Sequence, residues 1–186
     1  ETSEETQYNS TSYFIDLSNE NENLNDFDIN NSKFLLETEE KRMTGILVHY
    51  FFENLKYGTE EEVTFAKNLC YKRYLSYFGK KKLDEIFSKE NIEMFLNKDK
   101  EIFSKKWDYI YNEYVLYDSI EKQEYRIDRL MIKDNEDGTG EIYIVDYKTG
   151  GKDENQLKTY VSVLKKTFKE LKNYEIKTNF LEFDIF

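Results

Sequence analysis

Apolar side chains recur along this chain first at a helical spacing and then at a strand spacing. Met43, Ile46, Leu47, Tyr50 and Phe51 follow one helix face, predicting a helix from Glu39 to Lys56 that closes at Gly58. Thr59, with Glu62 three residues on, has the form of a capping box. It opens a second helix, to about Phe78, that Gly79 stops. Leu83–Phe103 reads as one or two further short helices, with Ser88 as a cap. The period then changes. Trp107–Asp118, Tyr125–Ile132 and Glu141–Lys148 are rich in β-branched and aromatic residues and read as strands. Asp118–Gln123 and the acidic, glycine-containing Lys133–Gly140 read as turns. Thr149-Gly150-Gly151 breaks the third strand. Asp153 or Asn155 caps a helix to about Leu171, with Leu157, Val161, Leu164 and Phe168 inward, and Glu175–Phe186 reads as a last strand. The order of helices, three strands, helix and strand predicts an α/β domain with a mixed central sheet flanked by helices and an N-terminal helical portion.

Residues 1–38 carry little apolar pattern beyond Tyr13-Phe14-Ile15 and read as an acidic linker or arm. Residues 39–186 read as the domain, with its helical part at about 39–106 and its sheet core at about 107–186. The whole chain has 186 residues, enough for one substantial core. Aromatics make up 17%, which argues for folding over disorder. Cys70, the only cysteine, reads as a buried thiol and excludes a disulfide framework or a cysteine-ligated iron–sulfur cluster within one chain. No apolar run approaches the ~20 residues of a membrane span and no secretory signal is visible, so the expectation is a cytoplasmic protein or a piece of one. The net charge of −11 argues against a free-standing nucleic-acid binder.

Chemistry concentrates between Glu113 and Tyr160. A hairpin centred on Asp137 sets Asp128 opposite Asp146, and alternation turns Asp146 and Lys148 the same way. Opposed carboxylates destabilise a sheet unless a cation lies between them. A one-residue slip would put the two acids on opposite faces. Lys148 reads either as a surface lysine paired to Asp146 or as a group that orients water and stabilises charge growing on a phosphate. His49, the only histidine, reads as a core or boundary residue or as a metal ligand beside carboxylates. Glu113 alone reads as a solvated strand residue. Gln156 and Tyr160, four apart on a helix, either rim the core or contact a sugar-phosphate backbone.

In order along the chain, Gly45-x-x-x-His49, the strand residue Glu113, Arg126-Ile127-Asp128-Arg129, Asp146-Tyr147-Lys148-Thr149-Gly150 and Gln156-x-x-x-Tyr160 resemble the motifs of RecB-type nucleases. These belong to the PD-(D/E)xK, or restriction-endonuclease-like, superfamily. The likeness is to the nuclease domain at the C-terminus of UvrD-, AddA- and RecB-type helicases. Ile127 stands where that family often has proline. The branch carrying an iron–sulfur cluster is excluded by the cysteine count, and no Walker-type helicase loop is present.

The resemblance implies a metal-dependent deoxyribonuclease, exonuclease action favoured over endonuclease, in DNA repair or recombination. It implies Asp128, Asp146 and Lys148 as catalytic residues. Mg²⁺ or Mn²⁺ would be held by His49, Asp128, Asp146 and the backbone carbonyl of Tyr147. Glu113, Arg126, Gln156 and Tyr160 would bind substrate; apart from the resemblance, the net charge of −11 means that local attraction to DNA must come from the metal and from residues such as Lys148, Arg126, Arg129 and Lys158. Implied partners are DNA, as single strand or duplex ends, the helicase region of a longer polypeptide, and an AddB- or RexB-type subunit; no membrane is implied. The alternative is an inactive nuclease-fold module for DNA binding or scaffolding. A third reading is an RNA-directed or mobile-element nuclease of the same superfamily.

Overall fold

Why the chain forms helices first and a sheet second is visible at its caps and breaks. A computed structural model describes the backbone of residues 26–183 and the side chains of residues 34–183. The chain divides into two units, Glu1–Glu37 and Thr38–Phe186. The Tyr13-Phe14-Ile15 segment lies outside the described residues. Helix α1 spans Asp26–Glu53, so residues 26–38, expected as linker, are helical. Helix α2 spans Glu60–Ile86 and opens on the capping box: Thr59 accepts from the Glu62 amide, and the Glu62 side chain accepts from Thr59. Glu60, Glu61 and Glu62 place negative charge at the positive end of the helix dipole. Gly79, at φ 71° and ψ 160°, kinks α2 where the sequence places a stop. Helix α3, Lys89–Lys98, is capped by Ser88.

Four strands follow the sequence pattern closely: β1 Tyr109–Asp118, β2 Gln123–Asp134, β3 Gly140–Lys148 and β4 Tyr174–Glu182. They form one mixed sheet in the order β1-β2-β3-β4, with β3 and β4 parallel and the other pairs antiparallel. Parallel neighbours need a crossover, and α4, Glu154–Thr167, supplies it, capped by Asp153 and followed by a 3-10 turn at Lys169–Asn173. The last strand, expected over Glu175–Phe186, begins one residue earlier and ends at Glu182; residues 184–186 lie outside the description. The inward side of α4 also differs: Leu157, Tyr160, Val163 and Leu164 are buried, while Val161 and Phe168 are only partly covered.

The sheet has a core on each face. Tyr143, Val145 and Tyr147 of β3 pack with Leu47, Phe51 and Phe52 of α1 and with residues of α2 and α3. Ile142 and Ile144, on the alternate positions, pack with Leu157, Tyr160 and Leu164 of α4. The Tyr147 ring lies 4.8 Å from that of Phe52, which stacks in turn on Phe183 at 4.6 Å. Cys70 is fully buried in the first core, and burial pushes its thiol up to about 12. Among the described residues, no helix is long and apolar enough to cross a membrane.

Candidate functional site

Two irregularities in the sheet create the site. The β2–β3 ladder has the register expected of a hairpin centred on Asp137, but it ends at Arg129–Val145, one residue before Asp128 and Asp146 would pair. Instead, Asp128 Oδ2 accepts the Tyr147 amide at 2.7 Å. A side-chain carboxylate thus replaces a ladder carbonyl, and the strands part. A residue's amide and carbonyl project to the same side of an extended strand, so the Tyr147 carbonyl turns toward this gap. The next carbonyl, of Lys148, serves the other side and accepts from the Phe183 amide at 2.8 Å.

The second irregularity is Glu113. The β1–β2 pairing passes from Asn112–Arg129 to Tyr114–Ile127, and Glu113 between them has φ 53°. A left-handed non-glycine residue costs about 1–2 kcal/mol. Such strain persists only where the surroundings enforce it, and it gathers at functional sites. Its effect is to break alternation: consecutive side chains both reach α1. Asn112 donates to the carbonyls of Glu53 and Leu55, and Glu113 lies by His49.

One ligand atom each from His49, Glu113 and Asp128 fall within 4.8 Å of one another. His49 Nδ1 is 3.5 Å from Asp128 Oδ1. Asp146 is almost wholly buried, and its Oδ2 forms an ion pair with Lys148 Nζ at 2.6 Å. A relay runs on from there. Lys148 Nζ donates to Gln156 Oε1 at 2.9 Å, Gln156 Nε2 donates to the Tyr160 hydroxyl at 2.6 Å, and that hydroxyl donates to the Arg126 carbonyl at 2.8 Å. Gln156 and Tyr160 therefore hold Lys148 in place and tie α4 to β2. Arg126 reaches across to Glu113 at 2.7 Å. His49, Arg126, Asp128, Asp146, Lys148, Gln156 and Tyr160 share a cleft of about 550 Å³.

Burial and charge act together on these groups. Burial, then repulsion from Asp128, hold the Asp146 carboxyl above the usual carboxylate range, against the pull of Lys148. Burial also raises Glu113, with Arg126 opposing. Burial would lower His49, but its hydrogen bond to Asp128 and the surrounding carboxylates outweigh that and raise it. His49, Glu113 and Asp128 thus bring one ligand atom each to a common point where a cation could be held, with the buried Asp146 beside them but outside that group. The sequence separates Glu113 from this group as a substrate residue, whereas the fold sets it in the middle.

Two residues expected to attract a polyanion do not face the cleft. Arg129 is fully buried; its guanidinium donates to the carbonyls of Leu55, Lys56 and Ile102 and to the Asn112 side chain, at 2.6–3.0 Å. It pins β2 to the α1–α2 loop and to the segment after α3. Lys158 lines a separate groove between α4 and β4. No protein-family model matches the sequence, and a search of curated proteins finds no match.

Proposed function

We propose that this chain is a divalent-metal-dependent deoxyribonuclease of the RecB type, on a restriction-endonuclease-like fold. The observation that carries the reading is the meeting of His49, Glu113 and Asp128 beside the buried Asp146–Lys148 pair, where two strands part. His49, Asp128, Asp146 and Glu113 would hold Mg²⁺ or Mn²⁺, with the Tyr147 carbonyl turned toward the same gap. A cation so bound supplies Lewis-acid polarisation of a phosphate and lowers the pKa of a coordinated water.

The chain's own residues do the rest. The Lys148 ammonium, fixed by Asp146 and Gln156, stands where negative charge grows on a scissile phosphate. Tyr160 and Gln156 keep it there by their hydrogen bonds. Arg126, exposed beyond Glu113, offers a planar fork to a non-bridging phosphate oxygen. The proposed setting is a helicase–nuclease of DNA repair in the cytoplasm, with DNA delivered by a neighbouring helicase.

The test is cleavage of end-labelled single-stranded and duplex DNA in Mn²⁺ and in EDTA. Lys148→Ala should lower the rate about 10²–10³-fold, as removal of one charge-stabilising donor does, and should lower the melting temperature as well because it leaves the buried Asp146 unpaired, so the rate is read well below that temperature. Undiminished cleavage by purified Lys148→Ala would refute the mechanism. A wild type that gains stability from Mn²⁺ yet cleaves nothing would favour the inactive, scaffolding module.

A further inference from the structure

The chain carries 23 lysines and four arginines, at positions 42, 73, 126 and 129. Arg129 is the buried peg. The other three line one cleft of about 480 Å³ between α1, α2 and β1, and no lysine lines it. Arg126 and His49 belong to both this cleft and the one holding Lys148, so the two meet at the candidate metal site. Arg42, Ile46, His49, Tyr50 and Glu53 recur at helical spacing and form the α1 wall. Arg42 stands about 10 Å of helix axis from His49.

The three guanidinium groups are not equally spent. Arg42 is held by Glu39 at 2.7 Å and Arg126 by Glu113 at 2.7 Å. Arg73 has no carboxylate partner among the described residues. Its guanidinium lies 4.7 Å from the Tyr50 ring centroid and 5.6 Å from that of Tyr74. In a chain of net charge −11, an exposed arginine kept on aromatic faces leaves its donors free. Arginine forks match phosphate oxygens two at a time. The cleft's volume is that of a small-ligand site, enough for a nucleotide-sized segment of one strand.

We infer that the cleft between α1, α2 and β1 is a binding track for single-stranded nucleic acid, in which Arg42 and Arg73 grip backbone phosphates on the far side of His49 from Lys148. This extends the proposed nuclease reading by giving the strand a path through the site. The acids of the cleft, Glu53 and Glu113, and the Glu39 partner of Arg42 keep the grip local: a phosphate must displace a carboxylate at Arg42 but none at Arg73.

The experiment is fluorescence anisotropy of a labelled oligothymidylate against the full chain in Ca²⁺, at several salt concentrations. Arg42→Ala/Arg73→Ala should weaken binding about tenfold and flatten the log K against log salt slope by about 1.4, since a single strand releases ~0.7 counterion per phosphate. Arg73→Lys should keep the slope and lose part of the affinity. Lys105→Ala, an exposed lysine outside both clefts, should match wild type. A double variant with wild-type affinity and slope would overturn the inference, as would tighter binding of a duplex than of the single strand. Binding does not require turnover, so the two readings separate. Arginine-dependent binding by a wild type that fails to cleave in Mn²⁺ upholds the track and removes the nuclease; cleavage alongside unchanged binding in the double variant does the reverse.

Discussion

At the scale of single residues, the site is a balance between strain and charge, and Glu113 concentrates both. Its left-handed backbone and its half-buried carboxylate near Asp128 each cost stability, offset in part by Arg126. Glu113→Gln keeps the shape and removes one negative charge. In EDTA its melting temperature should equal or exceed that of wild type, and the rise on adding Mn²⁺ should shrink, because a ligand stabilises the folded state only as far as it binds it. A wild-type Mn²⁺ response in Glu113→Gln would exclude the carboxylate from the cation's shell. The pH dependence follows from the directions of the shifts. Glu113, Asp146 and His49 are all raised in the folded state. Their protonated forms therefore favour folding below their unfolded pKa values, and that contribution fades as pH rises through the raised folded values. The cation competes with those same protons, so its effect has the opposite trend. The Mn²⁺-induced rise in melting temperature should be larger at about pH 7.5 than at about pH 5.5. A pH-independent rise would place the cation elsewhere. Sequence spacing makes the Asp146–Lys148 pair legible, because alternation along one strand sets it. The positive φ at Glu113 is not legible, since nothing in Asn112-Glu113-Tyr114 marks a break in alternation.

At the scale of elements, the hairpin of β2 and β3 decides whether the two aspartates meet. Its register could be read from the turn cluster Lys133–Gly140, with Asn135 and Thr139 closing the turn through a backbone hydrogen bond of 2.9 Å. Gly140, where β3 begins, leaves no room for a side chain: a Cβ there would lie 2.4 Å from the Lys133 carbonyl oxygen and 2.2 Å from the Tyr174 ring. Gly140→Ala should therefore destabilise by about 1–3 kcal/mol, as overpacking does. At about 2–4 °C per kcal/mol, that is a drop visible in a melting curve. Gly138→Ala, in the same turn, meets no atom within 4 Å but has φ 79°, so it should cost about 1 kcal/mol through backbone strain alone. Equal melting of the Gly140→Ala variant and wild type would mean that the turn relaxes and the register is not pinned there. Helix ends were legible for the same local reason: Thr59, Gly79, Ser88 and Asp153 act through hydrogen bonds or φ values within a few residues. The inward side of α4 was not. Tyr160 looks amphipathic in sequence, and its hydroxyl is satisfied on burial by Gln156 one turn back and by the distant Arg126 carbonyl. Arg129 is a similar case, because its acceptors come from three separated segments.

At the scale of the whole molecule, charge sets how the chain can meet a polyanion. Thirty-eight acids against 27 bases repel nucleic acid at long range, and salt screens that repulsion only beyond roughly 8 Å at physiological strength. Attraction must be local, from the arginines of the α1–α2 cleft, from Lys148, and from a cation if one is held by the carboxylates. Arg129 and Lys158, which sequence reasoning adds to that sum, do not contribute: one is buried and the other lies over a different groove. The chain should therefore bind single-stranded DNA weakly, with Kd near the ~10⁻⁴–10⁻⁶ M of non-specific binding at physiological salt. It should also bind without sequence preference, because the arginines of the cleft would grip phosphates, which carry no sequence information. Few phosphates are gripped, so affinity should fall only gently between low and physiological salt. Removing divalent cation should weaken it further, by restoring the bare charge of Glu113, Asp128 and Asp146. A titration at two salt concentrations, in Ca²⁺ and in EDTA, measures all of this on one instrument. Nanomolar binding with a steep salt slope would show that the repulsive field has been overcome by a much larger basic surface than the described residues possess. Affinity indifferent to divalent cation would show that the strand never approaches the carboxylates, and so that the arginine cleft and the candidate metal site do not serve one substrate.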